Sequence, residues 1–226
     1  MNDSTKKVFT PNATSKLVVE ETIKLIKKKA TILDLGCGDG NIGINIFKKK
    51  KNKIKRFCFS DLSKKATQKC EINLKKEKLI AEVKNGSMFK PWNEKKFDFI
   101  VESVSAISEP VANVSPWYNK NIPCEAGLDG AKLINEILLM ASNYLNKNGK
   151  IIFPIVSFSK TEKIINLAKR KYKNVTLLSQ KDWPLPKSMY KHENQFEKLR
   201  KKKLISYKKK FGIILYTSYI YSATKK

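Results

Sequence analysis

The stretch that decides the fold is residues 30–47, which read ATILDLGCGDGNIGINIF. A short apolar run typical of a buried strand comes first, and an apolar run with helical spacing comes last. Four glycines lie between them within residues 36–43. Glycines after a strand allow a tight turn and let a ligand approach the backbone, while the next helix presents free N–H groups. The stretch therefore predicts a strand, a ligand-binding turn and a helix.

Outward from this stretch, helical and strand periods alternate along the chain. Helices are predicted over residues 15–29, 41–49, 63–76, 128–145 and 160–171. Strands are predicted over residues 30–35, 54–60, 79–84, 97–103 and 150–156. Such alternation gives right-handed crossovers and a parallel sheet that is covered by helices on both faces.

The C-terminal part of the chain breaks this alternation. A strand predicted over residues 175–179 is followed by a loop and a basic helix at residues 181–203. Residues 211–221, FGIILYTSYIY, then form a long strand rich in β-branched and aromatic residues. We expect this last strand to enter the sheet antiparallel. The predicted fold class is α/β, a three-layer sandwich with a seven-stranded, mostly parallel sheet whose last strand is reversed.

The composition fits one such domain. The 226 residues suffice for a single core, so we expect a lead segment at residues 1–14 and one domain over residues 15–226. No apolar run reaches the roughly 20 residues of a membrane span, and the first residues are polar, so we expect a cytoplasmic protein without membrane contact. The cysteines are widely spaced, which predicts reduced thiols and neither a disulfide framework nor a metal site. They are Cys37, Cys58, Cys70 and Cys124.

The net charge of +27 has two explanations. Clustered cations attract phosphates, so the charge is typical of a protein that contacts nucleic acid or another polyanion. Nearly all the cations are lysine, however, and Asn and Ile are abundant, as AT-rich codons would leave them. The lysine runs at residues 48–53, 64–65, 75–78 and 201–210 fall mostly where helix ends and loops are expected. A solvated surface and a polyanion-binding surface therefore both stay open.

Two ligands compete for the glycine turn. Gly38, Gly40 and Gly43 satisfy the GxGxxG spacing of dinucleotide-binding turns, and Asp61 follows where a carboxylate accepts ribose hydroxyls. Gly36 together with Gly38 and Gly40 equally satisfies the acidic-x-Gly-x-Gly-x-Gly spacing of turns that bind S-adenosylmethionine (SAM). Spacing alone does not separate them.

Charge separates the two ligands. Asp34 ends the first strand and Asp39 lies within the turn. A dinucleotide brings a dianionic pyrophosphate to this turn, whereas SAM brings an ammonium and a sulfonium. At an effective dielectric constant of about 20, a like-charge contact at about 4 Å costs roughly 4 kcal/mol. Two carboxylates therefore favour SAM, and a nicotinamide dinucleotide is the minor alternative.

Three motifs in this order resemble those of the class I SAM-dependent methyltransferases. They are LDLGCGDG at residues 33–40, FSDLS at residues 59–63 and NGSMF at residues 85–89. The resemblance implies that Asp34 orients the methionine ammonium, that Asp61 binds the ribose and that Leu62 contacts the adenine. It implies that the cofactor also lies against the turn and the third motif. The residues concerned there are Gly36, Cys37, Gly38, Gly40, Asn41, Ser87 and Met88. Ser87 stands where the family usually has an acid.

Within this class, the chain is most similar to the group that methylates glutamine in release factors and to related ribosomal-protein and rRNA enzymes. The similarity lies in residues 8–26, VFTPNATSKLVVEETIKLI, and in the segment at residues 125–153. That group ends its fourth strand with Asn-Pro-Pro-Tyr, which holds the planar nitrogen that is methylated. This chain has Ser103, Val104, Ser105 and Ala106 there. Another acceptor, or another way of holding it, is implied.

Candidate catalytic groups follow from the same edge of the sheet, because ligands of open α/β sheets bind at the carboxyl ends of the strands. Glu102 and Ser103 end the fourth strand. Glu102 is the candidate base or acceptor-orienting group, and its alternatives are a cofactor contact or the cap of a turn. The long loop at residues 107–128 is typical of a lid. Trp117 and Tyr118 within it either cover the acceptor or form a small satellite core.

Three functions follow. The leading hypothesis is methyl transfer from SAM to an acceptor, a protein or RNA of the translation machinery. The second is a methyltransferase for a small metabolite, favoured by the missing Asn-Pro-Pro-Tyr motif and the candidate lid. The third is a module of the same fold that binds RNA or assists assembly without catalysis. Charge reversal at residues 201–210 would abolish the function of such a module, whereas Glu102→Ala would not.

Overall fold

The computed structural model describes residues 12–104, 106–118 and 124–226. Most of the predicted lead segment and Ser105 of the fourth-strand motif lie outside this part. The first helix already begins at Ala13, inside the predicted lead. Its N-terminus is a capping box, in which the Asn12 side chain accepts hydrogen bonds from the N–H groups of Thr14 (3.0 Å) and Ser15 (3.2 Å).

Helices and strands alternate through most of the described chain. The helices are α1 (Ala13–Leu25), α2 (Asn41–Lys50), α3 (Lys64–Lys76), α4 (Glu109–Ala112), α5 (Lys132–Ala141), α6 (Thr161–Lys171) and α7 (Glu193–Lys201). The strands are β1 (Ala30–Leu35), β2 (Ile54–Asp61), β3 (Glu82–Asn85), β4 (Phe97–Glu102), β5 (Leu145–Val156), β6 (Asn174–Pro184), β7 (Lys208–Lys210) and β8 (Ile213–Thr224).

The described strands form one sheet in the order β3-β2-β1-β4-β5-β8-β6, with β7 paired to β8. The neighbours from β3 to β5 are parallel, whereas β8 is antiparallel to both β5 and β6. The predicted fold class, with its reversed last strand, is therefore confirmed. The sheet has one strand more than the seven predicted, because β7 adds a short hairpin partner to β8.

Helices cover the sheet on both faces. In β1, Ile32 packs into a core with α1, α2 and α3, whereas Leu33 and Leu35 pack into a core with α5 and α6. All six residues of β1 are buried, as expected for a central parallel strand. A third apolar cluster, the satellite core, joins α4, α7 and the first half of β8. It consists of Ile107, Val111, Ala112, Phe158, Leu185, Met189, Phe196, Leu199, Ile205, Ile214 and Tyr216.

Several predicted boundaries were wrong for local reasons. The strand predicted from residue 79 begins at Glu82, because the Leu79 N–H still closes the end of α3 on the Leu74 carbonyl at 3.0 Å. The helix predicted from residue 128 begins at Lys132, because a turn joins the Gly130 N–H to the Gly127 carbonyl at 3.0 Å. The strand predicted over residues 175–179 continues to Pro184. None of the described helices is long and apolar enough to cross a membrane.

Candidate functional site

The glycine turn after β1 brings the backbone close to the neighbouring strands. The N–H groups of Gly36 and Cys37 donate to the Ser60 carbonyl of β2 at 2.8 and 3.0 Å. Gly36 has a φ of +75°, and a Cβ there would lie 3.1 Å from a methyl group of Val104. Gly40, with a φ of +84°, leaves no room for a Cβ, which would lie 2.6 Å from the Cys70 sulfur. The turn therefore needs glycine at both positions.

A cavity of about 740 Å³ opens above this turn, at the carboxyl ends of β1, β2 and β4. Most of the predicted site residues line it. They are Gly36, Cys37, Gly38, Asn41, Asp61, Leu62, Ser87, Met88 and Ser103. The three others, Asp34, Gly40 and Glu102, are buried behind the lining. The volume falls within the usual range of small-molecule sites, roughly 300 to 1,000 Å³.

Asp61 is fixed at the end of β2 with its carboxylate facing the turn. Its Oδ2 accepts the Gly38 N–H at 2.9 Å, and its Oδ1 accepts the Ser63 N–H at 2.8 Å. The Asn85 side chain donates to the carbonyls of Asp61 and Leu62 at 3.0 and 2.8 Å, which holds the end of β2 against β3. Each carboxylate oxygen keeps a second lone pair. A ligand hydroxyl can therefore bind to a carboxylate that is already oriented.

Asp34 lies one layer below the cavity and is fully buried. Its Oδ2 accepts the Gly43 N–H at 2.8 Å, and its Oδ1 accepts the Ser103 hydroxyl at 3.3 Å. Burial raises the pKa of Asp34 to about 7, and the two hydrogen bonds limit the rise. The charges of Asp61 and Asp39 add to it. Asp34 thus acts on the cavity through its field and through Ser103, and not by direct contact.

Glu102 is also fully buried, at the end of β4. Its Oε1 accepts the Val104 N–H at 2.6 Å, whereas its Oε2 has no hydrogen-bond partner within the described part of the chain. Burial holds the pKa of Glu102 well above its usual range, and the nearby Asp34 charge adds to this. The hydrogen bond to Val104 holds the turn after β4, which is the capping alternative considered for Glu102. Ser103, by contrast, lines the cavity.

Part of the cavity lining comes from residues outside the three sequence motifs. Trp117 packs edge-on against Tyr216 of β8, with ring centroids 5.1 Å apart. Both rings line the cavity and also pack with the satellite core. Trp117 therefore packs with the satellite core, which was one alternative, and it also lines the cavity that it would cover in the other. The start of α1 also lines the cavity through Asn12 and Thr14, for which composition gave no signal.

The charge of the lining is opposite to that of the chain. Its acidic residues are Asp39, Asp61, Glu125 and Glu136. Lys132 is the one cation among the described lining residues, although the chain carries 47 Lys and Arg against 20 Asp and Glu. Glu125 and Glu136 come from the loop before α5 and from α5 itself, far along the chain from the glycine turn. The cavity therefore favours a cationic ligand.

The sequence comparisons relate part of the chain to a known family. Residues 8–103 match the family model described as methyltransferase small domain. Over these residues the chain is similar to this family of methyltransferases. The chain is 29% identical over 133 residues to a curated protein, the ribosomal protein uL3 glutamine methyltransferase of Francisella tularensis. The match covers 55% of this chain and 41% of that protein. The chain is 31% identical over 155 residues to a release factor glutamine methyltransferase of Borreliella burgdorferi, covering 65% and 52%.

A solved structure supports the fold. The 16S rRNA N2 G1207 methyltransferase of T. thermophilus, solved with AdoMet and guanosine, superposes with a TM-score of 0.60 at 14% identity. The alignment covers 99% of the present chain and 45% of the T. thermophilus chain. The chain thus spans about half the length of the curated relatives it matches. Within the described residues, no group of three or more His, Cys, Asp or Glu is arranged to hold a metal ion.

Proposed function

We propose that this chain transfers a methyl group from SAM to an acceptor of the translation machinery. The observation that carries the proposal is a glycine-turn cavity lined by four carboxylates and one ammonium among the described residues, in a chain of net charge +27. A pyrophosphate would meet Asp39 and Asp61 at the turn, whereas a sulfonium and an ammonium are stabilised there.

The residues present fit SAM. Asp61, held by two N–H groups, is oriented for the ribose hydroxyls. Leu62 is 70% exposed and lines the cavity together with Met88, so the two offer apolar contacts for the adenine. The glycines of the turn have no side chains, so a ligand can lie directly against the backbone there. Asp34 supplies negative charge beneath the amino-acid end of the ligand.

When bound, SAM supplies an electrophilic methyl group on its sulfonium. The chain's own task is to hold the acceptor lone pair in line at about 3 Å and to exclude water. Trp117 and Tyr216 cover the cavity. Ser103 lies at the end of β4, where its hydroxyl is fixed by Asp34. We assign Ser103 to positioning at this edge, and Glu102 to holding the turn that presents it.

The acceptor class follows from the lining. Asn-Pro-Pro-Tyr is replaced by residues 103–106, so a planar amide lacks its usual partners. Glu125 and Glu136 line the same cavity as the aromatic rings of Trp117 and Tyr216, and carboxylates together with aromatic rings favour an amine cation. Two curated relatives are named for methylating a ribosomal protein and a release factor. A basic side chain or amino terminus of a ribosomal protein is the acceptor that we favour.

The test uses purified protein, methyl-labelled SAM and three separate pools: ribosomal proteins freed of RNA, ribosomal RNA, and small metabolites. We expect label in the ribosomal-protein pool and its loss with Asp61→Ala. Label in RNA alone would contradict a protein acceptor. Label in small metabolites alone would support the second hypothesis. SAM binding without transfer to any pool would support the non-catalytic module.

A further inference from the structure

The β7–β8 hairpin exposes an aromatic side chain next to a run of lysines. Lys208–Lys210 form β7, Phe211 and Gly212 form the turn, and β8 begins at Ile213. Phe211 is 91% exposed and has a φ of +48°. No heavy atom lies within 4 Å of a Cβ built on Gly212. An exposed Phe in a strained turn contributes nothing to the described core, so the tip is free to contact a partner.

The base of this hairpin is fixed, in contrast to its tip. Lys208 pairs with Asp182 of β6 at 2.8 Å, and the Asp182 carboxylate also accepts the Thr217 hydroxyl at 2.7 Å. The Ile214 N–H donates to the Tyr190 hydroxyl at 3.1 Å, and the Ile214 side chain belongs to the satellite core. The tip is therefore presented on a rigid support.

The surface around the hairpin is strongly basic. Residues 181–210 contain eleven Lys and Arg against three acids. All three acids are engaged: Asp182 with Lys208, Glu193 with Lys209, and Glu197 with Arg200. The exposed lysines of this segment that form no described ion pair include Lys201, Lys202, Lys203 and Lys210. A phosphate backbone would be neutralised here and not at the acidic cavity.

The hairpin and the cavity lie at the same edge of the sheet. β8 runs antiparallel, so its first residues lie at the edge where the parallel strands end. Ser218 pairs with Val156, the last residue of β5, and residues 213–217 extend past that end. Tyr216 on this extension lines the cavity. A partner held at Phe211 is therefore held at the same edge of the sheet as the site.

We propose that Phe211 and Lys210 form an RNA-docking tip that stacks on an unpaired base, while Lys210 and the other exposed lysines of this segment without a described ion pair neutralise its phosphates. An aromatic ring beside cations is the arrangement that binds single-stranded nucleic acid without sequence readout. The proposal deepens the proposed function, because a ribosomal acceptor lies within RNA. An anionic membrane is less favoured, since one Phe buries little apolar area.

The experiment measures binding of the full chain to a fluorescent 20-nucleotide oligouridine by anisotropy, without SAM. Phe211→Ala should raise the Kd about fivefold or more, as loss of one stacked base does. A Lys201, Lys202 and Lys203→Gln triple variant, which leaves the ion pairs of Lys208 and Lys209 intact, should also raise the Kd and should lower the salt slope by about 2. The matched control is Lys75, Lys76 and Lys78→Gln, three exposed lysines at the far end of α3, which should change the Kd less than about twofold.

Equal losses with both triple variants would overturn the proposal, because charge alone would then explain binding. An unchanged Kd with Phe211→Ala would overturn it as well, and so would binding to vesicles with 30% phosphatidylserine in preference to oligouridine. Calorimetry with SAM on the same variants keeps the two proposals apart. Normal SAM binding with lost RNA binding is expected, and failure of SAM binding in the unaltered chain would reject only the proposed function.

Discussion

The cavity and the β7–β8 hairpin lie at the same edge of the sheet and carry opposite charge. The described lining holds Asp39, Asp61, Glu125 and Glu136 against a single lysine, whereas residues 181–210 hold eleven cations against three acids. A codon bias toward lysine acts on the whole chain and leaves no reason for carboxylates to collect in one cavity. The local sign of charge therefore tells more about the ligands than the net charge does.

The largest effect is expected from Asp61→Ala. It removes a carboxylate oriented by Gly38 and Ser63, and loss of charged hydrogen bonds of about 1.5–3 kcal/mol raises the Kd for SAM about 10- to 150-fold. Asp182→Ala is the control, because its carboxylate serves the hairpin base. Calorimetry should find SAM affinity unchanged in Asp182→Ala. Equal losses in both variants would mean that the cavity is not the SAM site.

Salt should separate the two regions next. Raising KCl from about 50 to 200 mM should weaken oligouridine binding about 20-fold if three phosphates are neutralised. The Kd for SAM should change less than about twofold, because buried charges such as Asp34 are screened little. Anisotropy and calorimetry at both salt concentrations test this. A SAM affinity that falls as steeply as RNA affinity would remove the distinction between the regions.

Acidic pH should weaken SAM binding about tenfold between pH 7.5 and 5.5. Asp34 has a pKa raised to about 7, so it takes up a proton over this range and no longer attracts the cation. Stability of the ligand-free protein should move the opposite way. A raised folded-state pKa means that the folded state binds the proton first, so the free energy of unfolding rises as pH falls through 7.

The matched variant for this pH test is Asp34→Asn. Asp34→Asn should remove the part of the pH dependence that Asp34 causes, both in SAM affinity and in the free energy of unfolding. Calorimetry at several pH values measures the first, and thermal unfolding without ligand measures the second. A SAM profile that stays as steep in Asp34→Asn would assign the titration to another group.

The smallest effect is expected from Glu102→Gln. Burial holds the pKa of the Glu102 carboxyl well above its usual range, which favours the neutral form, and the amide oxygen of Gln still accepts the Val104 N–H. Methyl transfer should stay within about threefold in the labelling assay. A loss of 100-fold or more would mean that Glu102 acts as the general base after all.

The sequence predicted the layers of the fold because apolar runs report burial directly. The strand, turn and helix at residues 30–47 and the reversed last strand are where the pattern indicated. β7 was not predicted, because its three residues are exposed lysines that pair with β8 and show no apolar pattern. The extension of β6 to Pro184 escaped it because an edge strand exposed on much of its length shows no clean alternation.

The site could be predicted only where one motif contains it. The turn, Asp61 and residues 87–88 were identified because they line one cavity from three neighbouring strand ends. Glu125 and Glu136 were not, since only the topology brings α5 to the turn. Burial, which the sequence does not report for a single charged residue, separates Asp34 and Glu102 from the lining.

The central claim is that carboxylates at the glycine turn select a cationic nucleoside over a phosphorylated one. Titration calorimetry of the purified chain with SAM and with NAD, at pH 7.5 in the same buffer, tests it most directly. We expect saturable heat with SAM and none with NAD. Saturation by NAD with no heat from SAM would contradict the claim.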